Sequence, residues 1–433
     1  MYQEHWLTQE ERERLITLLL NADIIKCDNR RSLPLKKGGT TDIYINLRNL
    51  RNHPAILKEV SSLFAHALRR AGVVRFIEVP DGISCVAGPL SMETGIPYIT
   101  VRESEKTGRV SKGKLIGEFS RGMKAAIIDD VITDGTSKIY PYEEGLRVGL
   151  EINDIFVLVD REQGWQETFE EEGIPLRVRS GMTLHQIRKF LIETGVMQRC
   201  APEEEERNHI IVAHDNASLG ASLQLADALR TTGVIHKLND LFFEHGMSVI
   251  EDFAVYGRVM VDGKFYDIPN TVLNICKKLG EHAPWAVTIH ASGGRKMIEY
   301  AVQALWGTET KVLGVTVLTS FDKESCQEIY HKLPIEQVRD LAKIAHKAGA
   351  HGLVCSPKEV EELRSLYPHM ILITPGVRSK GFAKGDQKRV TTPAKASADG
   401  ADYVVIGRQI TGADYPPTEV RKVREEINGV LPL

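Results

Sequence analysis

The sequence predicts an α/β protein in two parts, an open parallel sheet with helices followed by a (β/α)8 barrel. Three observations carry this. Eight short β-rich runs recur in the second half, at residues 210–215, 234–239, 258–262, 286–291, 312–318, 352–356, 371–376 and 403–408. Helix-like amphipathic stretches such as 219–229 and 335–347 lie between them, and this alternation is the pattern of a barrel. The first half has a different rhythm: apolar runs at 76–79, 98–101, 125–128 and 155–159 are separated by helix-sized segments, as in an open parallel sheet.

The elements follow in order. Residues 7–20 form an amphipathic helix, with Thr8 as N-cap and Glu11 three residues on completing a capping box. The sheet strands come next. The stretch MQRCAPEEEERN at 197–208 then breaks the periodicity with proline and an acidic run. The expected boundaries are therefore a domain over 1–198, a linker over 199–208 and a barrel over 209–433.

Composition narrows the function classes. Hydrophobic residues make up 42% and charged residues 26%, ordinary values for a globular protein. Fifty-five Lys and Arg stand against 58 Asp and Glu, a net charge of −3. That balance argues against nucleic acid or a membrane surface as the main partner. Six scattered cysteines without a CxxC pair favour reduced thiols and a cytoplasmic location over a disulfide framework or a zinc site. The N-terminus has no apolar signal core, and no run approaches the ~20 apolar residues of a membrane span.

The densest chemical signal is VDGKFYDIPNTV at 261–272. A buried strand ending in Asp262, Lys264 and Asp267 is costly unless the charges neutralise one another or act on a ligand. A solvated charged loop is the bland alternative. On an extended strand Asp262 and Lys264 point to the same side. Barrel active sites form at C-terminal strand ends, and charged or polar residues recur there: Asp215, Lys237, Thr319, Ser320, Arg378 and Arg408. The loops after strands seven and eight are the customary phosphate position of this fold. Arg378 and Arg408 supply charge there, Gln387 a donor, and Gly407 close backbone approach.

In the first half, AAIIDDVITDGTS at 125–137 runs a strand into two acids and a Thr/Gly/Thr/Ser turn. Backbone amides and hydroxyls of such a turn can cradle a phosphate. Asp129 and Asp130 can hold ribose hydroxyls directly or through hydrated Mg2+. The bland alternative is an acidic strand-to-helix turn.

The barrel motifs, with TPGVRSKGFAKGDQKRVTTP at 374–393, IIVAHD, VIHKLN, HASGG and VLTS, resemble orotidine 5′-monophosphate decarboxylase over residues 208–409. Sister enzymes share D-x-K-x-x-D but lack the IPNTV continuation and the long TPG…GDQ loop. The resemblance implies catalytic roles for Lys237, Asp262, Lys264 and Asp267, with Asp267 contributed by a neighbouring subunit of a homodimer. It also implies that Asp215 binds ribose, Thr319 or Ser320 the base, and Arg378, Gln387, Gly407 and Arg408 the phosphate. No cofactor is implied for this half. His214 stands where the family usually has an apolar residue and is expected to face the helices.

The first half resembles type I phosphoribosyltransferases, and more specifically orotate phosphoribosyltransferase, through LKKGGTTDIYINLR at 35–48, the stretch 79–102 and the acidic motif. The resemblance implies Lys106 as catalytic. It implies Lys36, Tyr44, Arg102, Lys106, Asp129, Asp130, Thr133, Gly135, Thr136 and Ser137 as binding residues for orotate and 5-phosphoribosyl-1-diphosphate. Mg2+ is the implied cofactor, with no direct protein ligands assigned. The hood reads Arg102-Glu103-Ser104-Glu105-Lys106-Thr107-Gly108, lacking a second lysine and a histidine of the family pattern, and Asp134 replaces a small neutral residue. Two consecutive steps to UMP on one chain are expected. One rival is a decarboxylase whose first half is weak or regulatory; another is a nucleotide-responsive binding protein without enzymatic activity.

Overall fold

The computed structural model describes residues 4–28, 33–34, 40–102, 114–197, 209–215, 217–382 and 391–429. The chain divides into two compact units, Met1–Gln198 and Arg199–Leu433.

The first unit holds a seven-stranded sheet in the order Glu4–His5, Arg177–Thr183, Glu151–Asp160, Lys124–Ile132, Arg75–Glu78, Tyr98–Val101, Leu115–Ile116. Neighbours are parallel except the last pair. Side chains alternate between faces. Ala126 and Ile128 enter a core with Leu15, Leu19 and Phe64, while Ala125 and Ile127 enter another with Trp165 and Phe169. Both faces are covered, so the central strands read as unbroken apolar runs. Helix Gln9–Asn21 starts at Thr8 with the expected capping box. Three strands lie outside the apolar runs. Glu4–His5 and Leu115–Ile116 have two residues each, and Arg177–Thr183 reads as polar because Arg177 and Arg179 pair with Asp154 at 3.0 and 2.8 Å.

The second unit holds a closed barrel of eight parallel strands: Ile210–Ala213, Ile235–Leu238, Arg258–Phe265, Ala286–His290, Lys311–Val315, Gly352–Val354, Ile371–Thr374 and Tyr403–Ile406. The first strand pairs with the eighth, Ile211 opposite Val405, which closes it. Ile211, Ala213, Ile235, Met260, Ala286, Leu313, Ile373 and Val405 pack together in the lumen. Alternate residues Ile210, Val212, Val404 and Ile406 pack outward with Leu229, Val420 and Val423 of the helices. Seven strands end before the predicted runs do, because the polar residues past their ends turn into loops. The third runs on to Phe265 instead. Among the described residues, no helix is long and apolar enough to cross a membrane.

Candidate active site

The upper layer of the lumen follows from the strand period. Two residues beyond the lumen-facing Ala213, Ile235, Met260, Ala286 and Val405 come Asp215, Lys237, Asp262, Thr288 and Gly407. Apolar layers thus end in a charged one. Ala213 has little side chain, so space opens above it.

The charges alternate in sign. Lys237 Nζ donates to Asp215 Oδ1 at 3.0 Å and lies 3.3 Å from Asp262 Oδ2. Lys264 Nζ donates to the same Asp262 oxygen at 2.8 Å. Lys237 and Asp262 are each only 7% exposed. Burial alone would lower the Lys237 pKa, but the carboxylates of Asp262 and Asp215 outweigh it and hold that pKa above the usual lysine value. Burial likewise works to raise the Asp262 pKa, and Lys237 and Lys264 overcome it and hold that carboxyl below the usual range. Both groups stay charged, and an ionised carboxylate is held facing the cavity.

The third strand reaches this geometry through a bulge rather than the straight extension expected from the sequence. Val261 pairs with Val287 and Phe265 with Ile289. Three residues, Asp262, Gly263 and Lys264, therefore stand opposite one residue of the fourth strand, Thr288. Lys264 adopts φ +43°, a conformation L side chains rarely take. Gly263 is required because a Cβ there would lie 2.5 Å from the Phe265 ring. Thr288 ties the bulge together. Its hydroxyl donates to Asp262 Oδ1 at 3.0 Å and accepts from the Lys264 backbone N–H at 2.8 Å. Asn239, just past the end of the second strand, holds it from the other side, its side chain donating to the Asp262 carbonyl at 2.6 Å.

A cavity of about 600 Å3 brings together Asp215, Lys237, Asp262, Lys264, Thr319, Arg378, Gly407 and Arg408. Arg378 has its proton affinity lowered, first by burial and then by the charge of Arg408, which marks two guanidiniums facing one space. Gln409 braces that wall. It accepts from the Ser379 N–H at 2.9 Å and donates to Ser379 Oγ and to Glu419. Ser320 is exposed and does not line the cavity. Asp267 is also exposed and outside it, capping the Ile268 N–H at 2.6 Å between the exposed Tyr266 and Ile268. Gln387 lies outside the described residues. Thr288, Asn239 and Gln409 escaped the sequence reading. The polar residue on the lumen side of AVTIH was the one available signal for Thr288. His214 packs outward against Phe253, hydrogen-bonded to His236 at 3.0 Å.

In the first unit, strand Lys124–Ile132 brings Asp129 and Asp130 to the turn that opens helix Thr136–Arg147. Gly135 is needed in that turn. Its φ is +80°, and a Cβ would stand 2.7 Å from the Phe169 ring. Thr133, Gly135, Thr136 and Ser137 occupy the turn and first helical residues, where Asp134 Oδ1 accepts from the Thr136 N–H at 3.2 Å. Asp129 forms a buried ion pair with Lys138. Arg102 follows strand Tyr98–Val101, its carbonyl accepting from Tyr140 Oη at 2.8 Å. Tyr44 lies on strand Ile43–Ile45, which pairs with Ile25–Cys27 away from the main sheet. Lys36 and Lys106 lie outside the described residues. Lys114 pairs with Glu144 at 3.3 Å and sits over the Tyr140 ring.

The barrel and its cavity define an enzyme-type site for a small anionic ligand, with paired arginines on one wall and alternating carboxylates and ammoniums on the other. A family model described as Orotidine 5′-phosphate decarboxylase / HUMPS family matches residues 208–423. The orotidine 5′-phosphate decarboxylase of Chromobacterium violaceum is 38% identical over 235 residues, 53% of this chain and 95% of that protein. That of Pseudomonas putida is 39% identical over 224 residues, 50% of this chain and 96% of that protein. The solved structure of orotidine 5′-phosphate decarboxylase from Lactobacillus acidophilus covers 51% of this chain and 99% of its own, at 30% identity and a TM-score of 0.44. The chain belongs, through its barrel, to the orotidine 5′-phosphate decarboxylase / HUMPS family.

Proposed function

We propose that the barrel decarboxylates orotidine 5′-monophosphate to UMP and that the first unit makes this substrate from orotate and 5-phosphoribosyl-1-diphosphate. The chain would then be a bifunctional UMP synthase acting in pyrimidine biosynthesis. The observation that carries the barrel reading is the Asp215–Lys237–Asp262–Lys264 charge array on one wall of the cavity that Arg378 and Arg408 also line.

The chemistry follows from the charges. The substrate phosphate sits between Arg378 and Arg408, with the backbone at Gly407 approaching closely and Gln387 donating. This remote grip holds the pyrimidine carboxylate against Asp262, an arrangement unfavourable in the ground state. The bond from C6 to the carboxyl carbon breaks. Its electron pair stays on C6, CO2 leaves, and the Lys264 ammonium donates a proton to C6. Loss of the carboxylate charge relieves its repulsion with Asp262, so the fixed charges favour the transition state over the substrate. Lys237 holds Asp262 in place, and Asp215 binds a ribose hydroxyl. Thr319 faces the base. Asp267 completes the array of a second subunit, which makes the working unit a homodimer. The step draws on side chains alone.

Replacing Lys264 by alanine is the test. UMP formation from orotidine 5′-monophosphate should become undetectable, and an unaffected rate would refute the assignment.

A second reading keeps the decarboxylase and makes the first unit a weak transferase or a ligand-sensing domain. It is favoured by Asp134 occupying an amide of the turn and by Asp129 already bearing a lysine. Orotate consumption with 5-phosphoribosyl-1-diphosphate separates the two, since absence of turnover beside a working decarboxylase rules out the bifunctional reading.

A further inference from the structure

Mg2+ is the cation that type I phosphoribosyltransferase resemblance implies for the first unit, and Asp129 there does not fit it. A divalent cation of this kind takes oxygen ligands, directly or through its water shell. Both Asp129 oxygens are engaged. Oδ2 faces the Lys138 ammonium and Oδ1 accepts the Asp130 N–H at 2.7 Å. Asp130 Oδ1 in turn accepts the Val131 N–H at 2.7 Å. The backbone of Gly82 covers the same oxygens, since a Cβ there would lie 2.5 Å from Asp129 Oδ1 and 2.7 Å from Asp130 Oδ1. That leaves no room for a hydrated ion on this side. Among the described residues, no group of three or more His, Cys, Asp or Glu side chains is arranged to hold a metal.

Lys138 is built in rather than adventitious. It is 3% exposed on the first turn of helix Thr136–Arg147. Besides Asp129, its Nζ donates to the Val131 carbonyl at 3.0 Å and to Ser137 Oγ at 2.7 Å. All three ammonium protons thus have acceptors, which is what a buried charge requires. Ser137 accepts from Lys138, so its own hydroxyl hydrogen is left to donate outward from an exposed position.

We infer that Lys138 is an internal counter-ion, and that the first unit takes its phosphorylated ribose ligand without a divalent cation held by the protein. This rests on reading the unit as a phosphoribosyl-binding domain. Pairing Asp129 from within leaves Asp130 and Asp134 as the acids that a phosphate entering the 133–137 turn would meet. The pairing does at Asp129 the electrostatic task a bound cation would otherwise perform.

The test is calorimetric titration of the full chain with 5-phosphoribosyl-1-diphosphate, once in excess EDTA and once in excess Mg2+. Coupled sites typically change one another's affinity about 5–150-fold. The inference expects the two dissociation constants to agree within about threefold, below that coupled range. Tightening of about tenfold or more with Mg2+ overturns the inference and leaves the phosphoribosyl reading standing. No binding in either condition overturns both. Lys138→Met should introduce Mg2+ dependence of about tenfold, because Asp129 then lacks its counter-ion. Binding by that variant that stays indifferent to Mg2+ refutes the role given to Lys138. If Lys138→Met does not fold, Asp129→Asn with Lys138→Met removes both buried charges, and its binding should be as indifferent to Mg2+ as the parent's. Mg2+ dependence in the double variant counts against the inference.

Discussion

Thr288→Val removes one oxygen and keeps the shape of the side chain, so it isolates the hydroxyl that spans the Asp262–Lys264 bulge. Two hydrogen bonds go with it, the 3.0 Å bond to Asp262 Oδ1 and the 2.8 Å bond from the Lys264 N–H. The first is made to a buried ionised carboxylate, and bonds of that kind contribute about 1.5–3 kcal/mol. The second anchors a residue whose φ of +43° is itself costly, a strain on the order of 1–3 kcal/mol. Under the proposed mechanism Asp262 faces the substrate carboxylate, and Thr288 touches that side chain rather than Arg378 or Arg408. The loss should therefore fall on kcat, by about 10–100-fold at about 1.4 kcal/mol per decade, with KM little changed. The assay is steady-state formation of UMP from orotidine 5′-monophosphate, with kcat and KM resolved separately. Thr288→Ser keeps the hydroxyl and should recover activity to within about threefold of the parent, since the bond energy returns. A Thr288→Val enzyme with kcat within about twofold of the parent, less than one such bond is worth, would show that the hydroxyl does not hold the bulge.

Other outcomes follow from the same geometry. Arg378→Ala and Arg408→Ala should each weaken UMP binding by about 10–100-fold, the worth of a charge-assisted bond to phosphate, as titration calorimetry would read directly. Asp267→Ala and Lys264→Ala chains should each be inactive alone. In the proposed homodimer, refolding them together should restore about a quarter of the parent activity, because half the dimers would be mixed with one intact site each; no recovery would count against a shared site. Buried His236 has its pKa pushed down by burial to about 4. A depressed histidine contributes stability that is full above the unfolded value near 6.5 and is lost as pH falls through the folded value. Between neutral pH and pH 5 the loss should be about 2 kcal/mol. Denaturant melts at the two pH values should show that loss, and His236→Gln should shrink it.

Much of the barrel was legible because its strands are short, apolar and separated by helix-period segments. The residues at their ends could be placed by counting. Asp215, Asp262 and Arg408 stand where an apolar run stops, Lys237 one residue before the end of its strand, and Arg378 four residues past the end of its own. Thr288 and Gln409 were not legible in that way, because a threonine in a strand and a glutamine in a helix are ordinary residues until their partners are known. The first unit was harder for a similar reason. Strand Arg177–Thr183 reads as polar, and its parallel backbone pairing with Glu151–Asp160 and Glu4–His5 makes it a strand.

By itself the sequence determined the two-part α/β architecture, the closed set of eight strands, and which charged residues reach the top of the barrel. Those properties rest on periodicity and on the cost of burying charge, and both can be counted along one chain. Tertiary structure alone decided how the charges meet. Asp262 and Lys264 lie close together through a three-residue bulge held by a residue of the next strand, and Lys138 turns back onto Asp129 from the first turn of a helix. Contacts between residues far apart in sequence, or across a kinked backbone, leave no period to read. They exist only once the chain has closed on itself.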